Sequence, residues 1–246
     1  MKELHHLEEY LKNVSVPEGL KKVSELYPGK VKFSSSLGQE DQVLTDIICL
    51  NSIDISIFTL DTGRLFNETY ELIEKTEARY KKKIEIFFPQ ANSVEEMVNK
   101  NGINLFYNSV EERKMCCNIR KVEPLSRALA GVSVWITGLR SSQTTLRHEL
   151  PLIEWLPEKQ LIKYNPLLHW SYDEVMGYIN VHSVPYNPLH DKGFVSIGCA
   201  PCTRAIRPGE DFRAGRWWWE DASKKECGLH VHTDPTPEEN NLLETK

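Results

Sequence analysis

The spacing of apolar residues changes several times along the chain, and each change marks an element. The first 27 residues read as one or two amphipathic helices. Strand-like and helix-like segments then alternate. Lys30 to Phe33 is strand-like, and Gln39 to Leu50 places Val43, Leu44, Ile47 and Ile48 on one helical stripe. A strand from Asp54 to Leu60 precedes a charged helix from about Leu65 to Tyr80, and Ile84 to Phe88 reads as a third strand. Ser93 with Glu96 has the form of a capping box opening a short helix. Val132 to Thr137 is a fourth strand and a fifth falls near Gln160 to Tyr164. A second capping box, Ser171 with Glu174, opens a helix ending near Val181. Beyond Pro185 the alternation stops.

Alternating strands and helices imply right-handed crossovers, and therefore an α/β fold with a mostly parallel sheet flanked by helices. Ligands of such sheets sit beyond the carboxyl ends of the strands. Three loops leave predicted strands in that way: Ser34-Ser35-Ser36-Leu37-Gly38, Leu60-Asp61-Thr62-Gly63-Arg64 and Thr137-Gly138-Leu139-Arg140. No repeat, low-complexity tract or Gly/Ser linker divides the chain. The expected organisation is an α/β unit over residues 1–206, a C-terminal segment over 207–232, and an acidic, Pro-containing tail over 233–246 that is expected to be disordered.

Composition narrows the class. The chain has 246 residues, 40% of them hydrophobic and 26% charged, as in ordinary soluble proteins, and is long enough to bury a core without disulfides. A formal net charge of −5 disfavours nonspecific nucleic-acid binding. No apolar run approaches the ~20 residues of a membrane span, and MKELHHLEEYLKN lacks the apolar stretch of a secretory signal. The expected location is the cytoplasm. In that reducing setting the six cysteines are better candidates for metal ligands or catalytic thiols than for disulfides.

The loop FSSSLGQED offers three hydroxyls, a glycine and the N–H groups of a helix N-terminus, the makings of an anion site, although a Ser-rich helix cap would look the same. It lacks the G-x-x-x-x-G-K-[ST] pattern and any lysine, so a triphosphate fits it poorly. Asp61 and Thr62 can hydrogen-bond a base or ribose. Gly138 permits close backbone approach, and Arg140 supplies a cation. Any of these loops could be an ordinary turn; three at one sheet edge favour a nucleotide cleft.

The cysteines carry the strongest signal. Cys116 and Cys117 are adjacent, and Cys199-Ala200-Pro201-Cys202 is a distant CxxC. Four thiolates in two pairs suit a zinc ion or a 4Fe–4S cluster; adjacent ligands diverge, which is awkward for tetrahedral zinc. A dithiol redox pair at Cys199 and Cys202, or plain buried cysteines, are the competing readings. Cys49 lies on the apolar stripe of a helix and is assigned to the core. Downstream, Arg213 and Arg216 can form a guanidinium fork for sulfate or phosphate, unless Glu210, Asp211 and Glu220 screen them. Trp217, Trp218 and Trp219 cannot all face a core from a strand, so some are expected to cover a site or an interface, and self-association is one reading. Cys227, among Lys224, Lys225 and His230, has neighbours that favour the thiolate, the nucleophilic form.

Taken in order, SSSLGQED, LDTGRLFNETYELI, KMCCNIRKVEPL, the GLR loop, the CAPC pair, RAGRWWWE and KKECGLH resemble the assimilatory adenylyl-sulfate reductases, relatives of the phosphoadenylyl-sulfate reductases, from about Lys30 to His230. The resemblance implies an adenine nucleotide alpha hydrolase-like fold related to the PP-loop pyrophosphatases. It implies a 4Fe–4S cluster on Cys116, Cys117, Cys199 and Cys202 that orders the site without passing electrons to substrate. It implies attack by Cys227 on adenosine 5′-phosphosulfate, expulsion of AMP, and release of sulfite by thioredoxin or a similar dithiol, within sulfate assimilation and cysteine biosynthesis. Position by position, Lys121, Arg213, Arg216 and His230 match the sulfate and phosphate site. Ser34, Ser35, Ser36, Leu60, Thr62, Gly138 and Arg140 match the nucleotide pocket.

Three rivals remain at this stage. The same chemistry could act on the 3′-phosphorylated substrate, or on both. An adenylating pyrophosphatase would need an S-G-G-x-D-S type loop, which SSSLGQED is not. A non-enzymatic metal-binding module would leave Cys227 and the arginine pair without a role.

Overall fold

The computed structural model describes residues 2–143 and 150–221. Two helices open it, α1 (Lys2–Lys12) and α2 (Val16–Leu26). Ser15 starts the second, its N–H and hydroxyl both donating to the Glu18 carboxylate. Then come β1 (Val31–Ser34), α3 (Gln39–Leu50), β2 (Ser56–Leu60), α4 (Asn67–Tyr80), β3 (Glu85–Phe87), α5 (Ala91–Asn101), α6 (Val110–Cys117), α7 (Glu123–Ala128), β4 (Val134–Ile136), β5 (Ile153–Leu156), β6 (Leu161–Tyr164) and α8 (Tyr172–His182). After α8 only short 3-10 turns follow within the described residues.

The six strands form one sheet in the order β3-β2-β1-β4-β6-β5, parallel except for β5. Phe33 pairs with Ile57 on one side and Ile136 on the other, and Ile136 pairs with Tyr164. Side chains alternate between the faces. Val31, Phe33, Ile57, Val134, Ile136, Ile162 and Tyr164 enter the larger core, with the stripe Val43, Leu44, Ile47 and Ile48 of α3 and apolar residues of α2 and α8. Phe58, Trp135 and Leu161 point the other way, onto Leu125, Ala128 and Leu129 around α7. Covering both faces is what a parallel sheet requires. Connections from β1 run towards β2 and those from β4 towards β6, so β1 and β4 flank a topological switch point.

The mostly parallel α/β architecture matches the sequence expectation, with two differences. An antiparallel edge strand, β5, precedes the last predicted strand. The helix after β3 starts at Ala91 with Gln90 as its cap, so Ser93 lies inside the first turn and is not a capping residue. By contrast, Ser171 accepts from the Glu174 N–H and its own N–H donates to the Glu174 carboxylate, as predicted. Cys49 is half-buried against the main core. Among the described residues no helix is long and apolar enough to cross a membrane.

Candidate active site

The three predicted loops meet at the carboxyl end of the sheet, around a cavity of about 270 Å³. Ser34, Ser35, Ser36 and Gly38 line it from β1, Leu60 and Thr62 from β2, and Thr137, Gly138 and Leu139 from β4. Phe58, Leu125 and Trp135 add an apolar wall, and Lys121, Arg213 and Arg216 bring three cationic side chains.

The Ser-rich loop lines the cavity, but several of its donors are already taken within the chain, otherwise than an open anion site would require. The Ser36 N–H and hydroxyl both donate to Asp41 Oδ2, at 2.6 Å each, and the Leu37 N–H donates to Ser35 Oγ. Ser34 Oγ accepts from Trp135 Nε1. The helix N-terminus is thus neutralised by a carboxylate of its own first turn, a favourable placement for that charge. Gly138 approaches closely enough that a methyl there would collide with the Asp41 carboxylate. Burial raises the Asp41 carboxyl from 3.8 to about 6, against the hydrogen bonds from Ser36 that favour its ionised form.

Arg140 is also placed otherwise than expected. Its guanidinium is 2% exposed and is held by Glu40, with further bonds to Ser142 Oγ and the Trp170 carbonyl. It fixes the first turn of α3 and is absent from the cavity lining.

The two cysteine pairs, 82 residues apart at their nearest, come together in a second, smaller chamber of about 20 Å³ lined by Cys116, Cys117, Cys199 and Cys202. Cys116 and Cys117 end α6, where the backbone widens into a π turn over Asn118–Val122 before α7; such turns recur at functional sites. Cys199 and Cys202 flank a 3-10 turn, Ala200–Cys202. Cys116, Cys199 and Cys202 are buried with Phe106 and Trp217. Thr62 Oγ1 lies 3.2 Å from the Cys199 sulfur, within hydrogen-bond distance, and accepts from the Arg64 N–H.

Arg64, Arg113, Arg120 and Lys121 also line this chamber. Burial pushes the Cys202 thiol up to about 12, and the Cys116 thiol is raised by the same cause. Four thiolates would therefore need compensating charge, from a bound metal group or from these cations. Among the described residues no set of three or more His, Cys, Asp or Glu is placed to hold one metal ion.

The C-terminal segment closes both chambers. Glu210 pairs with Arg204 and Glu220 with Arg113, while Asp211 accepts from the Arg213 backbone N–H. The Arg113–Glu220 pair is two-pronged and buried, with side-chain exposures of 0% and 4%. Trp217, 1% exposed, takes the guanidinium groups of Arg113 and Arg216 over its ring at 4.6 and 4.8 Å. Trp218 is exposed, and Trp219 packs edge-on against Tyr107. The expectation that the three tryptophans divide their tasks holds: one is core between the two chambers. Lys121, Cys199 and Trp217 line both chambers. Cys227 and His230 lie outside the described residues.

Sequence reasoning missed several residues here. Glu40 and Asp41 stood inside a quoted motif but were read only as part of a loop. His190, in Asn187-Pro188-Leu189-His190-Asp191-Lys192-Gly193, lines the larger cavity; the Asn-Pro before it and the Gly after it were the available turn signal. The partnership of Arg113 with Glu220, 107 residues apart, leaves no local signal.

A model of the phosphoadenosine phosphosulfate reductase domain matches residues 30–205. The adenosine 5′-phosphosulfate reductase of Allochromatium vinosum is 56% identical over 200 residues, which cover 81% of this chain and 78% of that protein. Among solved structures, phosphoadenylyl-sulfate reductase from Candida auris in its phosphate complex superposes with a TM-score of 0.71 at 30% identity, over 84% of this chain and 97% of that one. FMN adenylyltransferase from Candida glabrata, with FAD and inorganic pyrophosphate, has a TM-score of 0.53 at 16% identity over 97% of this chain and 88% of that one, a likeness of fold alone. With its model matched across the whole sheet and both cysteine pairs, the chain belongs to the phosphoadenosine phosphosulfate reductase family.

Proposed function

We propose that the protein reduces adenosine 5′-phosphosulfate to sulfite and AMP, with Cys227 as nucleophile and thioredoxin or a similar dithiol as the electron source. The Cys227 thiolate attacks the sulfate sulfur; a sulfur–sulfur bond forms, the bond from sulfur to the phosphate oxygen breaks, and AMP leaves with its electron pair. A thiolate of the dithiol then attacks the Cys227 sulfur, and sulfite departs with the electrons of the broken sulfur–sulfur bond. The second thiol resolves the mixed disulfide, so the dithiol supplies the two electrons and Cys227 is regenerated.

The observation that carries this reading is the common wall of the two chambers. The nucleotide cavity ends at Lys121, Arg213 and Arg216, and beyond Lys121, Cys199 and Trp217 lies the four-cysteine chamber. Cationic groups at that end offset charge on the departing phosphate, where it develops.

The chemistry of the donor set fits a 4Fe–4S cluster on Cys116, Cys117, Cys199 and Cys202. Four cysteines brought to one chamber suit a group in which each thiolate meets a different iron. When bound, the cluster would supply fixed charge and rigidity behind Lys121. Arg64, Arg113 and Arg120 line the chamber with the cysteines and Thr62 Oγ1 is within hydrogen-bond distance of Cys199; these are the residues expected to hold the ligands in place.

The test is to purify the chain without oxygen, add adenosine 5′-phosphosulfate without thioredoxin, and record intact mass and a peptide map. One added sulfonate group on Cys227, removed by thioredoxin with release of sulfite, is expected. Cys227→Ser should take no label yet keep the colour and the iron content. Iron-loaded protein that gains no mass would refute the assignment, and loss of iron in Cys227→Ser would make Cys227 a ligand.

A further inference from the structure

We infer that His190 is a nucleotide-binding residue whose Nε2 accepts a hydrogen bond from a hydroxyl of the ribose. The inference rests on the function proposed above and adds a contact to it.

His190 is built into the cavity wall by a rigid turn. Asn187, 1% exposed, donates from its side chain to Thr69 Oγ1 and accepts the Leu189 N–H on its Oδ1. The His190 N–H donates to the Asn187 carbonyl and the Phe194 N–H returns to the Leu189 carbonyl. Gly193, at φ 83°, lets the chain fold back in this way, and the Phe194 ring packs edge-on against Phe66 at 5.5 Å. Groups that must meet a ligand in a fixed pose are supported like this.

The ring's two nitrogens differ. A backbone hydrogen bond with Phe194 favours the protonated ring, so one ring N–H donates to that carbonyl. Nε2 is buried and has no hydrogen-bond partner among the described residues, which leaves Nδ1 as the donor. Burial lowers the ring's affinity for a second proton, outweighing the Glu40 charge that raises it. The Nε2 lone pair is therefore an acceptor at neutral pH. Leaving such an atom buried and unmatched is costly, and the cost is removed when a ligand supplies the partner.

The lining decides which part of a nucleotide comes here. Phe58, Leu60, Leu125 and Trp135 form an apolar wall suited to the base, and Lys121, Arg213 and Arg216 attract the phosphosulfate. His190 belongs with Glu40 and Asp41, which also line the cavity. Glu40 is already bound to Arg140 and Gln143, and Asp41 to Ser36. A group entering among these acceptors must bring protons, and the ribose hydroxyls do.

The experiment is calorimetric titration of the full chain with AMP, 2′-deoxy-AMP and 3′-deoxy-AMP, for the wild type and for His190→Ala. One of the two deoxynucleotides should bind the wild type about three- to tenfold more weakly than AMP, the range for one neutral hydrogen bond. His190→Ala should bind AMP weaker by a similar factor and no longer distinguish it from that deoxynucleotide. Equal binding of all three by the wild type would overturn the inference without recourse to any variant. So would a variant that loses affinity but keeps the full discrimination, since the histidine would then be structural. A wild type that does not bind AMP at all would defeat the proposed function itself, whereas AMP binding indifferent to both hydroxyls would defeat only this contact.

Discussion

Asp41→Asn offers a quantitative test of the loop chemistry. In the folded chain the Asp41 carboxyl is raised to about 6, and its ordinary value is 3.8. A group with a raised folded pKa favours folding below its unfolded value, and that contribution is lost as pH rises through the folded value. At ~1.36 kcal/mol per pH unit, the gap of about 2 units amounts to roughly 3 kcal/mol once both states are ionised. Asn has the same shape, still accepts from Ser36, and does not titrate. Most of the chain's other pH dependence cancels when the two proteins are compared. Between pH 5 and 7.5 the stability of Asp41→Asn relative to wild type should therefore rise by about 1.4 kcal/mol, the part of the titration lying in that window. Urea unfolding of both proteins without oxygen, at several pH values, measures this directly. A difference that is flat with pH would show that the carboxyl is not perturbed. A difference that falls with rising pH would show that the hydrogen bonds from Ser36 outweigh burial.

Arg213→Ala and Arg216→Ala should each weaken AMP binding tenfold or more, from about 1.5–3 kcal/mol for a hydrogen bond to a charged group, while adenosine binds both variants and wild type alike; equal losses for adenosine would mean the pocket has collapsed. Gly198→Ala should act like Arg216→Ala, because a methyl at Gly198 would collide with the Arg216 guanidinium; unchanged AMP affinity would show that this arginine does not need its present position. Glu220→Gln removes the carboxylate charge facing the buried Arg113 and should cost about 3–5 kcal/mol in urea unfolding; a loss under 1 kcal/mol would show that water or another group compensates the guanidinium.

The sheet was legible because period-2 and period-3.6 patterns follow local chemistry. Ile57 and Phe58 face opposite ways, as do Val134 and Trp135, just as the strand repeat requires, and Ser171 with Glu174 caps α8 from four residues of sequence. The chamber cysteines were legible because thiols in pairs are rare without a purpose. Other features were fixed by tertiary partners. Arg140 carries the same charge whether it meets a ligand or Glu40, and only packing decides for Glu40. The serine loop carries the donors of an anion site, and only the folded helix brings Asp41 onto them. Strand β5 lies at the sheet edge with Trp155 exposed, where the burial pattern that marks a strand is weakest.

The charge arrangement bears on how a substrate enters. An anionic nucleotide could approach a helix N-terminus or a group of cations, and in most parallel α/β folds the helix end competes well. Here Asp41 takes the Ser36 donors at that end, with Glu40 beside it, so an anion there meets two carboxylates. Lys121, Arg213 and Arg216 then hold the favourable potential within the cavity, on the side shared with the cysteine chamber. On the proposed function, this charge pattern would orient the nucleotide with its uncharged sugar towards Glu40, Asp41 and His190 and its phosphosulfate towards Lys121, Arg213 and Arg216. A carboxylate of the same helix at this end disfavours a second anion there, at the cost of burying a charge, which is the cost that raises the Asp41 carboxyl.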